Sequence, residues 1–415
     1  MKLIRLAVLL LLFMSLELAG ASDYSDINSA PHNYKERTPR DRFSRLIPRF
    51  EKGDLQLNTA TELTFLTNLL EVLEVPVSSQ MLVFSTTSLQ LGLISPNNPR
   101  AIYFNEDTYV GFIPRGKIEI VSIDPELGAI FYIFDVPRTG SPKPERSGRC
   151  MNCHSGEDTG WVPGVVIKSV IPGPGGGSLT AFRTSLTGHE IPYADRFGGW
   201  YLTGANGWTN HYGNLTGRLS AGLLTTSRIV PGELYPPARY PREGSDFLPQ
   251  LIHEHQAGFV NRIAEAAYRA RTALHDGGGE LTAQSREELE KHTERIVRYL
   301  FFSDEPRFPI SPHAGDSQYK SDFLEGRKRG PGGRSLRDLD LHERIFALRC
   351  SYMVYSEQFA SLPPVILDPI LNRMKNALEV GRVDPATALM KNDEKALIAS
   401  ILKTTLPIWE RVSSP

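Results

Sequence analysis

The sequence predicts an α+β protein in three parts: an antiparallel β meander (about 80–135), an irregular segment with a β-hairpin (140–240), and a helical C-terminal part (245–405). Two observations predict this order. Short runs rich in β-branched and aromatic residues recur between turns in the first part, whereas apolar residues return every three or four positions in the last. A chain of 415 residues is long enough for two or three packed regions.

The N-terminus has the pattern of a cleavable signal peptide. Lys2 and Arg5 precede an almost wholly apolar stretch from Leu6 to Leu16, and Ala19-Gly20-Ala21 offers the small residues at which signal peptidases cut. The apolar stretch is shorter than the roughly 20 residues that span a bilayer. We therefore expect residues 1–21 to be removed, and the mature chain to be exported to the periplasm without a transmembrane segment.

A polar, turn-rich segment (22–58) leads into a β-rich region (59–240). A helix is expected over Glu62 to Leu73, where leucines return at intervals of three and four and Thr59 has capping-box spacing to Glu62. Five strands are expected at Met81 to Ser85, Ala101 to Phe104, Tyr109 to Ile113, Ile118 to Ile123 and Ala129 to Phe134. Turns rich in Pro, Asn, Asp and Gly separate them, which indicates a meander. A hairpin is expected from Val165 to Leu186.

The region 241–415 has the periodicity of helices that pack on the β-rich region. Leu251, His255 and Phe259 share one face of a helix expected from Asp246 to about Leu274. Ser285 is expected to cap a second helix that ends at Phe302. Further helices are expected at Leu341 to Phe359, Leu367 to Glu379 and Asp393 to Leu402.

Cys150-Met151-Asn152-Cys153-His154 reads C-x-x-C-H, the attachment signature of a c-type haem. Two thiols at this spacing bond to the vinyl groups of haem, and the histidine that follows them binds the iron from the proximal side. Attachment takes place outside the bacterial cytoplasm, which agrees with the expected export. The sequence therefore predicts one covalent haem c, held by Cys150 and Cys153, with His154 as the proximal iron ligand.

Two other sites could use a pair of cysteines. A structural zinc site needs four ligands, and Cys350 is the only further cysteine. A thioredoxin-like redox pair would begin a helix after a strand of a βαβ unit, and no such pattern surrounds the motif. Neither alternative gives His154 a role, so the haem interpretation is favoured. Cys350 is expected to be a buried, small apolar residue.

The motif does not define the ligand on the other side of the iron. We place His211 first, because it lies in a segment rich in Gly and aromatic residues (187–240) that is expected to wrap the porphyrin. His189, His255, a methionine and an open site remain alternatives. Basic residues that could bind the haem propionates are Arg149, Arg183, Arg196, Arg327, Lys328, Arg329, Arg334 and Arg337.

The flanks of the motif resemble those of a family of exported bacterial proteins with a single c-type haem. The matching stretches include Pro99-Arg100-Ala101-Ile102-Tyr103-Phe104-Asn105, Val162-Pro163-Gly164, Gly198-Gly199-Trp200-Tyr201-Leu202-Thr203-Gly204 and Gly332-Gly333-Arg334-Ser335-Leu336-Arg337-Asp338. The resemblance covers most of residues 80–360 and implies one extended haem unit with its own helical part. Members of the family have a His-Met pair where this chain has His211-Tyr212, so a distal methionine there would have no counterpart.

A single covalent haem favours one-electron transfer to a periplasmic redox partner protein. The alternatives are a haem enzyme with an open sixth iron position, acting on peroxide, oxygen or a small substrate, and a haem-based redox or gas sensor. A dihaem peroxidase would need a second C-x-x-C-H motif. The formal net charge of −1 gives no electrostatic reason to expect binding to nucleic acid.

Overall fold

The computed structural model describes residues 26–182, 187–204, 208–309 and 315–412. The predicted signal peptide (1–21), Arg183 and the end of the predicted hairpin at Leu186 lie outside these ranges. Within them, the protein is a mixed α+β fold with an antiparallel six-stranded meander and helices in the C-terminal part, as predicted. None of the helices in the described ranges combines the length and hydropathy needed to cross a membrane.

The six strands follow one another across the sheet in chain order. They are β1 (Met81–Val83), β2 (Arg100–Phe104), β3 (Thr108–Phe112), β4 (Ile118–Asp124), β5 (Gly128–Phe134) and β6 (Glu145–Arg146). The first five coincide with the predicted strands to within two residues at either end. The short β6 is not predicted from the sequence, and it brings the chain back along β5 just before the cysteine motif.

One face of this sheet is completely covered. Alternate side chains of β2 to β5 point to it and are all buried, namely Ala101, Tyr103, Val110, Phe112, Ile118, Ile120, Ile130, Tyr132 and Phe134. They pack against two helices, α1 (Ile47–Lys52) and α2 (Glu62–Val72), and against the chain before them. We call this the sealed face.

The opposite face packs on the helical region, but only in part. Phe104, Tyr109, Ile123 and Phe131 are buried in the core that this face shares with the C-terminal helices. Four other residues of the same face remain partly exposed, although their strands lie inside the sheet: Ile102, Glu119, Val121 and Ile133. We call these four residues the open patch.

The N-terminal segment belongs to the sealed face. Residues 22–58 have a polar composition, yet the described part contributes Tyr34, Phe43 and Phe50 to the core. The hydroxyl of Tyr34 donates to the carbonyl oxygen of Ala129 at 2.7 Å. Helix α2 is capped by Thr61, whose side chain accepts from the backbone of Thr64, so the predicted capping role of Thr59 is wrong.

The middle of the chain contains a short helix and two hairpins. Helix α3 (Met151–His154) forms within the cysteine motif, and the predicted hairpin is present as β7 (Ser169–Pro172) and β8 (Ser178–Phe182). A second hairpin, β9 (Leu215–Ser220) and β10 (Leu223–Arg228), forms in the stretch expected to be irregular. Its strands are mostly exposed, so they lack the apolar alternation by which sequence analysis detects strands.

The helical region is organised around the long helix α4 (Phe247–Asp276), which is within two residues of the predicted helix at either end; Asp246 caps it. The other helices are α5 (Ala283–Leu300), α6 (Ser317–Leu324), α7 (Glu357–Ala360), α8 (Pro364–Ala377) and α9 (Asn392–Thr405). Thr282 caps α5, so the expected cap at Ser285 is wrong. The single helix predicted over Leu341 to Phe359 is wrong over most of its length: Leu341 has a φ of 59° and begins a stretch of bends, which is followed by a short 3₁₀ helix (Tyr352–Tyr355) and by α7. Buried residues at 341–351 follow a helical spacing without forming a helix.

Candidate functional site

The C-x-x-C-H motif forms a single helical turn beside the open patch. The backbone N–H of Ser147 donates to the carbonyl oxygen of Phe131 at 2.8 Å, which fixes the chain against β5 just before the turn. Cys150 is partly buried at the edge of the core that includes Phe131, and Cys153 is exposed. Both thiols are therefore accessible from the same helical turn.

The imidazole of His154 is held in one orientation and one tautomer. Its Nδ1 lies 3.0 Å from the carbonyl oxygen of Gly164. Because a carbonyl can only accept, Nδ1 carries the proton, and Nε2 keeps its lone pair. Burial lowers the pKa of His154 to about 4, so the ring is neutral at neutral pH. A neutral imidazole with Nδ1 bonded to a backbone carbonyl is the typical state of a histidine that binds a metal through Nε2.

The long helix α4 fixes the carbonyl group that holds His154. The side chain of Asn261 accepts from the backbone N–H of Val165 at 2.8 Å and donates to the carbonyl of Val165 at 2.9 Å. A Cβ atom on the neighbouring Gly164 would lie 2.4 Å from Oδ1 of Asn261, so only glycine fits there. The orientation of His154 thus depends on a residue of α4 far along the chain.

An ion pair borders the open patch. Nη1 of Arg100 donates to Oε2 of Glu119 at 2.8 Å, while Nε of Arg100 is buried without a hydrogen-bond partner in the described structure. Burial raises the pKa of Glu119, but the Arg100 guanidinium and hydrogen bonds from Ser88 and Gln90 outweigh burial and lower the pKa below its ordinary value. A partly buried guanidinium with an unbonded N–H is a suitable donor for a carboxylate.

Arg100 is a candidate that the sequence analysis missed. It lies inside the stretch that carries the family resemblance, but its position beside the motif follows only from the pairing of β2, β3 and β4. Among the predicted partners for haem propionates, Arg149 is exposed and directly precedes Cys150. Arg196 is fully buried and bonded to Glu254, whereas Arg337 is paired with Glu106. Arg327 and Arg334 are paired with Asp338, and Lys328 lies over the ring of Tyr355. Basic residues whose charge acts on the motif include Arg149, Arg100 and Lys168.

The structure does not bring His211, the first candidate for a distal ligand, into contact with the motif. Nε2 of His211 donates to the carbonyl oxygen of Trp208 at 3.0 Å, and Nδ1 accepts from the backbone N–H of Gly213 at 2.9 Å. Both ring nitrogens are used within its own loop. His211 would have to break one of these hydrogen bonds to bind iron, so we do not retain it as a ligand.

The two alternative histidines bind each other. Nδ1 of His189 lies 2.7 Å from Nδ1 of His255, and Nε2 of His255 lies 2.8 Å from the hydroxyl of Ser351. Both rings stack on Phe302, with centroid distances of 4.4 and 4.8 Å. Both rings lie among aromatic residues of the helical core, where His255 uses both ring nitrogens and Nε2 of His189 is buried without a hydrogen-bond partner among the described residues.

The properties of the site fit a covalent haem better than the other two chemistries. Burial raises the pKa of the Cys150 thiol, whereas a thioredoxin-like pair depends on a lowered thiol pKa. Within the described ranges, no group of three or more His, Cys, Asp or Glu residues could hold a metal ion. A porphyrin supplies four nitrogens of its own and needs only axial ligands from the protein. Two accessible thiols, an available Nε2 and a neighbouring apolar patch meet these requirements.

Comparison with models of known protein families, with curated proteins and with solved structures finds no match for this chain. The family resemblance therefore rests on the sequence motifs alone. The function has to be argued from the chemistry of the site.

Proposed function

We propose that this protein is a c-type cytochrome that carries one covalent haem and transfers single electrons outside the cytoplasm. The observation that carries the proposal is the state of His154. Its Nδ1 is bonded to Gly164 and its Nε2 is available, one helical turn from the thiols of Cys150 and Cys153. This combination supplies both the covalent attachment and the proximal ligand that haem c requires.

Each residue of the site has a defined part in this function. When bound, haem c supplies a one-electron Fe(III)/Fe(II) couple that takes an electron from one redox protein and gives it to another. Cys150 and Cys153 fix the porphyrin through thioether bonds. The hydrogen bond from His154 to Gly164 makes the imidazole more basic and keeps its orientation. Arg100 and Arg149 offer donors to the propionates, and the apolar side chains of the open patch keep water from the ring.

The proposed location is the periplasm. The N-terminal sequence has the charge, the apolar core and the small residues of a signal peptide, and c-type haem is attached outside the bacterial cytoplasm. The proposed partners are periplasmic proteins that donate and accept single electrons.

The test is to produce the full-length chain in a bacterium with a c-type maturation system. We expect a pyridine haemochrome spectrum with one covalent haem per chain, and a reversible redox titration that fits a one-electron couple. Replacing both attachment residues, Cys150→Ala and Cys153→Ala, should abolish the covalent haem. The control Cys350→Ala, which alters a cysteine buried in the helical core, should retain it.

Two results would contradict the proposal. A colourless wild-type protein without a haemochrome band would exclude covalent haem. Rapid binding of carbon monoxide to the reduced protein would instead favour an enzyme or sensor with an open iron position.

A further inference from the structure

One buried histidine outside the predicted candidates has an unusual environment. His253 of α4 is only 4% exposed and packs between the rings of Phe104 and Tyr109, each 5.3 Å away between centroids, with Trp200 at 6.3 Å. The contacts of its ring in the described ranges are to aromatic side chains, whereas the buried histidines His32, His189, His211 and His255 each have at least one ring nitrogen in a hydrogen bond.

His253 and His154 stand over the same face of the sheet. His154 packs on Phe131, with ring centroids 4.6 Å apart, and His253 packs on Tyr109. Tyr109 and Phe131 are the partners of Val121 on its two sides, in β3 and β5. Because neighbouring strands are about 4.8 Å apart, the two strands that carry these rings are separated by about 10 Å, with Val121 between them.

By this register, Val121 of the open patch lies between the two strands whose rings support the imidazoles. Val121 lies in β4, an interior strand, yet its side chain is partly exposed. A flat ligand standing edge-on above Val121 would have His154 on one side and His253 on the other. Each imidazole would bind the metal at a distance of about 2 Å. Two such bonds are compatible with histidines that pack on strands about 10 Å apart.

We propose that His253 is the sixth ligand of the haem iron, opposite His154. This inference rests on the proposed function and makes it more specific, since it names the coordination of the iron. Burial, and then the charge of Arg100, lower the pKa of His253 to about 3, so its ring is neutral and has a lone pair at neutral pH.

Two axial imidazoles have consequences that can be measured. Iron with both axial positions filled by strong ligands is low-spin and does not bind carbon monoxide readily, which suits electron transfer. Replacement of one imidazole by methionine raises the potential of a haem, so a bis-histidine protein should have a lower potential than a His-Met cytochrome. Met81 lies on the same face of the sheet and is fully buried, which makes it the methionine to compare.

The experiment records electronic absorption and electron paramagnetic resonance spectra of the full-length, matured protein. For the wild type, we expect a low-spin ferric spectrum typical of two imidazoles, without the charge-transfer band of a methionine ligand. The variant His253→Ala should become high-spin, bind carbon monoxide stoichiometrically when reduced, and return to low-spin when imidazole is added. The matched control His211→Ala, which removes another histidine buried in the same half of the chain, should keep the wild-type spectrum.

Each outcome separates this inference from the proposed function. If covalent haem is present but His253→Ala keeps a low-spin spectrum like the wild type, His253 is not the ligand and the cytochrome proposal stands. A methionine charge-transfer band in the wild type would also exclude His253 as the ligand, without any variant, and Met81→Ala then tests the alternative. If the wild type carries no covalent haem, the proposed function itself fails.

Discussion

The two faces of the six-stranded sheet are made of similar residues but are covered to different extents. Ile120 and Val121 are neighbours in β4, and Ile120 is 1% exposed whereas Val121 remains partly exposed. Helix α2 and the N-terminal segment cover the first side, and α4 covers only part of the second. The uncovered part lies beside Cys150 and His154. Apolar surface left open next to reactive side chains indicates where a ligand belongs.

The largest expected difference between the faces is in stability. Ile130 and Ile133 are both in β5, but Ile130 is fully buried on the sealed face and Ile133 is part of the open patch. Ile130→Ala should reduce the free energy of unfolding by about 2–5 kcal/mol, and Ile133→Ala by about 1 kcal/mol or less. Urea unfolding measures both in a background without haem, the variant with Cys150→Ala and Cys153→Ala. Equal losses for the two variants would mean that the open patch is packed like the sealed face.

The pH dependence of the free energy of unfolding tests the burial of His32 on the sealed side of the sheet. This histidine is 2% exposed and stacks on Tyr268, and burial, followed by the charge of Arg271, lowers its pKa to about 4. The unfolded chain takes up the proton at about pH 6.5. The contribution of His32 is therefore complete above pH 6.5 and is lost as the pH falls toward 4, by at most about 3 kcal/mol.

The matched variants isolate this contribution. The free energy of unfolding of His32→Gln should fall less steeply between pH 6.5 and 4 than that of the wild type. His342→Gln, which removes an exposed histidine that is not among the charges acting on His32, is the control and should keep the wild-type slope. If the free energy of unfolding of His32→Gln falls with pH as steeply as that of the wild type, other groups cause the loss of stability.

The smallest expected effect concerns the support of the proposed haem site by α4. Asn261→Ala removes two hydrogen bonds to the backbone of Val165 and should cost about 1–3 kcal/mol. Covalent haem should remain, but the midpoint potential should shift because Gly164 holds His154 less firmly. Asn68→Ala, which alters an asparagine bonded to an exposed backbone N–H, is the control and should change neither quantity measurably. An unchanged potential in Asn261→Ala would mean that α4 does not control the orientation of His154.

The sequence predicts well those elements of secondary structure that depend on residues close together in the chain. The five strands of the meander and the long helix α4 follow from periods of two and of three to four residues, which depend on one segment at a time. The stretch after Leu341 shows the limit of this reasoning. Its apolar residues have helical spacing because several neighbours surround them, and the backbone there forms turns.

His253 was not predictable from periodicity for a related reason. The apolar stripe of α4 contains Leu251, His255 and Phe259, and this stripe favoured His255. In the structure, every residue from 247 to 260 is buried, because α4 runs between the sheet and the outer helices. A helix enclosed on all sides has no solvent-exposed face, so the stripe does not show which side of α4 meets the open patch. Only the packing against Tyr109 and Phe104 places His253 there.

The sequence by itself determined the class of fold, the order of its elements and the residues of the C-x-x-C-H motif, Cys150, Cys153 and His154. The tertiary structure decided which nitrogen of His154 is bonded, which face of the sheet is left open and which other histidine stands over that face. The physical reason is the sequence separation of the residues that interact. Strand and helix patterns are set by residues a few positions apart, whereas Asn261 and His253 meet the site through contacts between segments about a hundred or more residues away.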